Sequence, residues 1–324
     1  MKFSSNPVLD FLGGAVATGG ALLCLASFLT LFARGHWILD LFSHFRPQMA
    51  LGLIICSLCM GLCRKPWLLL PFLLICLVHL AVIMSLYFTG ASKFSPRYSE
   101  RLRLLLINVN SSSGDPERVL DYVQQRGADV VILQEFSSRW MEMARSLKEI
   151  YPFRLLEIRE DNFGMALFSR RPFLSEEVLY FTEEEVPSLA VELRLDAERF
   201  LLLATHPVPP VSAEYTRARN LQLQKIAAFV ADSSIPVLLA GDLNTSPWSP
   251  VFRDLLRDSG LENSMQGFGI QPTWPTMIPP LWTPLDHVLH SRTFTTLRRK
   301  VGPDVGSDHF PVELTIGLRA PEGL

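Results

Sequence analysis

The chain has 324 residues, a mean hydropathy of +0.23 and only 19% charged residues, against about 25% in an ordinary soluble domain. Its charge is uneven: residues 1–90 hold five Lys or Arg and two Asp or Glu, which leaves the remainder, from 91 on, at a net charge of −5. The apolar content excludes a disordered chain, five cysteines in this length exclude a disulfide scaffold, and the long mixed-composition portion after residue 90 excludes a pure membrane channel.

Three apolar runs come first, at 14–33, 49–63 and 68–89. A helix rises about 1.5 Å per residue, so about 20 residues cross a hydrocarbon core of about 30 Å. The first and third runs meet that length. The second spans if Arg46, Arg64 and Lys65 snorkel to the headgroups. Three transmembrane helices are therefore expected, with two as the alternative. The first run is longer than the apolar segment of a cleaved signal peptide, and further runs follow it. Trp37 and Trp67 fall at run ends, where amphipathic rings favour the interface. All five cysteines lie within these runs, unaccompanied by a carboxylate or by a histidine in the Cys56, Cys59, Cys63 run, so they read as small apolar side chains. His79 reads as a helix-packing, hydrogen-bonding residue. Flanking charge sets no orientation: Lys2, Arg64 and Lys65 fall on one face, and Arg34, Arg46, Lys93 and Arg97 on the other.

A polar connection over 91–100 leads to a domain expected over 101–318, with 319–324 as a tail. Strand-length apolar runs occupy 102–109, 130–133, 153–158, 165–168, 190–195, 200–205, 237–240, 285–289 and 311–316. Helical stretches are expected over 116–126, 138–150, 213–231 and 250–258. Asp115 before Pro116 is an N-cap followed by proline at the first helical position. Strands in series as well as strands alternating with helices point to an α/β fold with mixed sheets.

Function is carried by the polar residues at the strand ends. Asn108 ends the first strand, Gln134 and Glu135 the second. His206 follows 200–205, and Asp242 with Asn244 follows 237–240. Asp286 opens another strand, and Asp308 and His309 precede the last. Strand ends bring distant residues to one rim, so a single cleft collects carboxylates, amides and histidines. Such a cleft suits Mg²⁺, a hard cation that prefers oxygen ligands, with Mn²⁺ as the substitute, and it lacks the ligand pattern of zinc. Each residue alone has a plainer reading as a turn, cap or core residue; the conjunction carries the argument. His287 should point away from Asp286 by strand alternation and serve packing. His290 belongs to no motif. Tyr215, Arg217 and Arg219 are read as a solvated helix face and left out of the site.

The motifs Ile107-Asn108-Val109, Val131-Ile132-Leu133-Gln134-Glu135, Gly164 to Ser169, Thr205-His206-Pro207, Gly241-Asp242-Leu243-Asn244, Leu285-Asp286-His287-Val288 and Ser307-Asp308-His309-Phe310-Pro311 stand in a recognisable order. Over residues 101–317 the chain resembles the endonuclease/exonuclease/phosphatase superfamily, which includes DNase I-like nucleases, inositol polyphosphate 5-phosphatases and sphingomyelinases. With 244–250, 272–275 and the N-terminal runs, it is most similar to the membrane-anchored bacterial branch. The resemblance implies a four-layer sandwich of two mixed β-sheets flanked by helices, with the cleft at the sheet edge.

The resemblance and the chemistry imply the same roles. Glu135 binds Mg²⁺ with help from Asn108, Asp242 orients or deprotonates the attacking water, and Asn244 donates to a phosphate oxygen. His309 acts as a charged donor to the phosphoryl group, with Asp286 as its partner and Asp308 as the second candidate, which otherwise supports the metal. His206 matches a second histidine of the DNase I-like and sphingomyelinase members and protonates the leaving group. Polymeric nucleic acid is the less favoured substrate, because residues 91–324 are net acidic and contain four Lys. The bilayer keeps the cleft near lipid headgroups, which favours a lipid-linked phosphate or pyrophosphate. Trp248, Phe268, Trp274 and Trp282 are candidates for an apolar lip. A nuclease and a noncatalytic receptor that keeps the fold are the alternatives; the intact motif set argues against the second. The resemblance and the cysteine-free domain point to a bacterial plasma membrane with the domain outside the cytoplasm.

Overall fold

The computed structural model describes residues 7–63, 67, 69–88 and 100–319. Of the predicted connection over 91–100 and the predicted tail over 319–324, all but Glu100 and Arg319 lie outside the described residues, as do Lys2, Arg64, Lys65, Lys93 and Arg97.

Among the described residues, the N-terminal region has four α-helices: α1 (Pro7–Leu29), α2 (Trp37–His44), α3 (Arg46–Leu62) and α4 (Leu69–Met84). With their terminal turns, Phe11–Phe32 and Leu69–Tyr87 are long and apolar enough to cross a membrane; α2 and α3 meet at 66° and supply a third span if counted together. Leu22, Leu25, Leu51, Leu58, Leu74 and Leu77 face outward, so apolar side chains cover the outside of these helices. Inside the bundle, His79 meets Ser27 Oγ at 2.7 Å and Arg46 Nη1 at 3.4 Å, so its polar atoms are paired where water is excluded. The end of α1, the start of α3 and the end of α4 all meet the following domain. Arg34 pairs with Asp254, Gln48 Nε2 donates to the Trp282 carbonyl, and the Gly267 and Gly269 amides donate to the Leu86 carbonyl. The three long helices thus run alternately toward, away from and toward that domain.

The short amphipathic α2, not evident in the sequence, joins the two regions through a buried ion pair. Its Asp40 is buried, receives Arg219 Nη2 at 3.0 Å and Ser249 Oγ at 2.7 Å. Arg219, expected on a solvated helix face, is 0% exposed. Its burial against α2 is a correction to that reading. A cavity of about 710 Å³ remains between α2 and the domain, lined by Arg34, Trp37, Asn220 and Asp254 among others, away from the predicted site residues.

The domain contains two six-stranded sheets. The first is built from β1 (Arg101–Asn108), β2 (Val130–Gln134), β3 (Phe153–Glu157), β4 (Met165–Ser169), β11 (Phe294–Val301) and β12 (Val312–Leu318), in the order β11-β12-β1-β2-β4-β3. The second is built from β5 (Ser175–Tyr180), β6 (Pro187–Leu195), β7 (Glu198–Thr205), β8 (Val237–Asp242), β9 (Glu262–Asn263) and β10 (Asp286–His290), in the order β5-β6-β7-β8-β10-β9. Each has one parallel pair, β1 with β2 and β7 with β8, among antiparallel neighbours. Helices α5 (Pro116–Arg126) and α6 (Met141–Ser146) cover the first sheet, and α7 (Ala213–Ala231) and α8 (Pro250–Ser259) the second.

Continuous apolar runs are needed here because the central strands are covered on both faces. Leu102, Leu104 and Leu106 of β1 join Leu238 and Ala240 of β8 in the core between the sheets. Their neighbours Leu105 and Ile107 pack under α5 and α6, and Leu239 under α7 and α8. Asp115 caps α5 by accepting from the Glu117 and Arg118 amides, and Gly127 closes it in the left-handed region, at φ 56. Three strands escaped the sequence reading. β5 and β11 lie at sheet edges and carry Glu176, Glu177, Arg298 and Lys300, the charged pattern that keeps edges from pairing with other chains. β9 has two residues. The helix expected over 138–150 is shorter, because Lys148 and Ile150 close tight turns onto Arg145 and Leu147.

Candidate active site

The strand directions explain why residues far apart in sequence meet. The C-terminal ends of both parallel pairs reach the same rim. β10 runs antiparallel to β8, so its first residue, Asp286, lies opposite Asp242. β12 runs antiparallel to β1, so the segment preceding it, with Asp308 and His309, returns to the end where Asn108 stands.

Gln134 fastens the floor of this rim across the two sheets. Its Nε2 donates to the Thr205 carbonyl at 2.8 Å and its Oε1 accepts from the Asp242 amide at 2.8 Å. Gly241 makes that approach feasible, since a Cβ there would sit 1.8 Å from the Thr205 carbonyl oxygen. Gln134→Leu leaves a buried N–H and a buried C=O unpaired, each costing about 1–3 kcal/mol. Thermal unfolding in detergent should show a Tm lower by several degrees; an unchanged Tm would show the bridge to be dispensable.

Around this floor, Asn108 Nδ2 donates to Glu135 Oε1 at 3.0 Å and reaches Asp242 Oδ2 at 3.5 Å. The other Glu135 oxygen receives the Ser111 amide at 3.1 Å. Asp242 Oδ2 also lies 3.6 Å from Nε2 of both His206 and His309. The Asn244 amide donates to Asp242 Oδ1, and its side chain donates to the Pro207 carbonyl. His309 Nδ1 meets Asp286 Oδ2 at 2.8 Å. Asp308 turns elsewhere, receiving Asn110 Nδ2 at 2.9 Å and Trp274 Nε1 at 3.2 Å. All eight predicted site residues therefore line one rim, with Asp308 at its margin. Asn108, His206, Asp242, Asp286 and His309 are buried, while Glu135 and Asp308 are part-exposed and mark the opening. Glu135, Asn244 and Asn110 all have positive φ, at 60, 50 and 58. Such conformations are costly for residues other than glycine and gather where surrounding structure fixes a side chain for use.

The electrostatics are unequal. Burial works to lower the His309 pKa, but Asp286 and Asp242 outweigh it and push it up to about 10. Burial likewise opposes a charge on His206, and Asp242 prevails to raise its pKa. Asp242 is the converse case: burial works to raise it, yet His309 and His206 hold it well below the usual carboxylate range. An ionised carboxylate between two imidazoles, beside a second carboxylate, describes the neutral-pH site.

Asp242, Asp286 and His309 place potential metal-binding atoms within 4.8 Å of one another. The histidine is ill suited as a ligand, because its two ring nitrogens face Asp286 and Asp242 and its raised pKa keeps both protonated. The carboxylates of Glu135 and Asp242 have the donor chemistry of a hard divalent cation, while Asn108, expected to assist as a ligand, turns Nδ2 to both of them and gives its oxygen to the Asn110 amide.

Other expected residues fall outside this arrangement. His287 turns to the opposite face, with its ring 4.5 Å from that of Phe252 and Nε2 2.8 Å from the Thr245 carbonyl oxygen; burial pushes its pKa down to about 3. Trp248 is no part of a lip, being buried with Met265 against α3 and α4. Asn110, Ser111 and Trp274 support the site without having been predicted in those roles. Only the asparagine two positions after Asn108 gave a sequence signal, as a turn residue able to adopt positive φ.

A two-sheet sandwich whose shared edge carries this set defines a metal-dependent hydrolase of phosphoric ester bonds. Residues 105–309 match the Endonuclease/Exonuclease/phosphatase family, and the chain belongs to it. Solved structures with the same fold include a humanized D. rerio TDP2, at 18% identity and a TM-score of 0.55, covering 67% of this chain and 98% of that one. An endonuclease/exonuclease/phosphatase from Beutenbergia cavernae is 20% identical at a TM-score of 0.55, covering 68% and 72%. Sphingomyelinase C from Streptomyces griseocarneus is 19% identical at a TM-score of 0.52, covering 68% and 100%. A search of curated proteins finds no match.

Proposed function

We propose that the chain is a membrane-anchored, Mg²⁺-dependent hydrolase that directs water onto the phosphorus of a lipid-linked phosphate or pyrophosphate. The observation that carries this reading is Asp242 set between His206 and His309, within a domain seated against three long apolar helices. The net charge of −5 over residues 91–324 disfavours a polyanion that needs many basic contacts. We place the chain in the membrane-anchored bacterial branch of its superfamily, with the domain outside the cytoplasm, in keeping with its lack of cysteine beyond residue 76.

In this mechanism Glu135 would hold Mg²⁺, its carboxylate oriented by Asn108 and the Ser111 amide. The bound ion would polarise a phosphoryl oxygen and offset charge on the leaving oxygen. Asp242 orients the water and takes up its proton as the new P–O bond forms and the bond to the leaving oxygen breaks. His309, kept protonated by Asp286, donates to the phosphoryl oxygens as charge builds. Asn244 steadies the same group, and His206 gives a proton to the leaving oxygen.

Glu135→Gln should raise the Mg²⁺ concentration for half-maximal activity by about 10- to 100-fold, as measured by metal titration of the full-length protein. An unchanged titration would remove Glu135 from the metal site. The broader test is a panel of lipid pyrophosphates, lipid phosphodiesters and plasmid DNA with Mg²⁺ in mixed micelles. Phosphate release from a lipid supports the assignment; degradation of DNA with every lipid left intact overturns it.

A further inference from the structure

No charged residue occurs between Glu262 and Asp286. Within that stretch, Met277, Ile278, Pro279, Pro280, Leu281 and Trp282 are six consecutive apolar residues, and all six are exposed. Met277 is 81% exposed and Ile278 48%. Water-facing loops are not written this way unless the apolar run has a partner.

Both ends of the run are fastened. On the catalytic side, the Thr276 amide donates to the Asp308 carbonyl and its hydroxyl to the Ser307 carbonyl, both at 2.9 Å. The Trp274 ring centroid lies 6.4 Å from that of His309. On the other side, the Trp282 ring packs edge-on against Phe310, with centroids 5.7 Å apart. The Trp282 carbonyl accepts from Gln48 Nε2 at 2.8 Å. Gln48 stands in the first turn of α3, immediately before the apolar residues of that helix. The loop is thus tied to the end of α3 at which its apolar stretch begins. Two prolines fix φ in its middle and reduce the freedom it would lose on insertion.

We infer that residues 277–282 enter the interface of the bilayer crossed by this chain, forming a lip beside the catalytic rim that receives the apolar portion of a lipid whose headgroup is cleaved. The occupant is lipid rather than a second protein because the loop joins, through Gln48, the outward-facing apolar surface of the spans themselves. Insertion rests on the loop and on the membrane anchoring proposed above; the reception of substrate rests in addition on the proposed lipid substrate.

The test uses full-length protein with its five native cysteines replaced by serine, reconstituted in phosphatidylethanolamine/phosphatidylglycerol vesicles. A nitroxide label is placed at Met277→Cys and, for comparison, at Lys148→Cys on the exposed turn after α6. At 277, power saturation should show collision with oxygen favoured over a water-soluble nickel chelate by at least about fivefold relative to 148. Equal accessibility at the two positions overturns insertion, as does spin–spin broadening of the 277 label that disappears on dilution with unlabelled protein, which would mean that a second copy covers the loop. With the native cysteines present, Met277→Ser/Ile278→Ser/Leu281→Ser should raise the KM for a vesicle-borne lipid phosphoester about tenfold while kcat is retained. An unchanged KM overturns the reception of substrate. If the unmodified protein hydrolyses no lipid while the 277 label is shielded, the proposed substrate class fails and insertion stands.

Discussion

Asp242→Asn should lower kcat for Mg²⁺-dependent phosphoester hydrolysis by about 10³- to 10⁴-fold, near the upper end of what a positioned base or water-orienting group contributes. The replacement keeps side-chain size and removes the charge that faces both imidazoles. Three functions are lost together: orientation of the water, stabilisation of the two histidines in their charged forms, and reception of the Asn244 amide by a full carboxylate. Because these groups act as a unit, Asp242→Asn combined with His309→Ala should be little slower than the worse single variant, rather than the product of the two losses. Single-turnover rates, compared after matching Tm values, provide the measurement. Activity of Asp242→Asn within tenfold of the unmodified enzyme would rule out the assigned role.

His309→Ala should lower kcat by about 10²- to 10³-fold, the usual effect of removing one donor to a developing oxyanion. The more informative variant is Asp286→Asn, because its loss should depend on pH. His309 is needed protonated, and in the intact site its pKa is pushed up to about 10, so its protonation does not limit activity until pH nears that value. Without the Asp286 charge, the pKa should fall toward the ordinary histidine value of about 6.5. Asp286→Asn should therefore be most active at acidic pH and decline as pH rises through neutrality, where the unmodified enzyme holds its rate. Stability follows the same proton. The folded pKa exceeds the unfolded one, so the contribution of charged His309 is complete below about 6.5 and is lost as pH climbs through 10. Parallel pH profiles for the two proteins would refute the Asp286–His309 pairing as the source of the charge.

The candidate residues are legible in the sequence because most of them end or open an apolar run long enough to be a covered strand. Asn108, Glu135, His206, Asp242 and Asp286 all follow that rule. Their pairings were less accessible. That Asp286, rather than Asp308, meets His309 depends on β10 lying beside β8 in the second sheet, a neighbour relation that periodicity does not encode. β5 and β11 were missed because edge strands are written with charges. Arg219 was misplaced for a different reason: a basic residue on an amphipathic helix is ordinarily solvated, and nothing in its neighbours on α7 reveals that Asp40, 179 positions earlier, supplies its counter-charge. Trp248 was misjudged likewise, since a loop aromatic gives no sign that α3 and α4 will cover it.

The Asp40–Arg219 contact reaches further than anchoring, because Arg219 Nη1 also donates to the Asn244 carbonyl at 2.6 Å. A chain shortened to begin at Glu100 would lose both the Asp40 counter-charge and the α2 cover that keeps water from this guanidinium, directly beneath a residue held at positive φ. The domain alone would consequently be a misleading stand-in for the whole enzyme, and screening for inhibitors or substrates should keep both regions in one polypeptide.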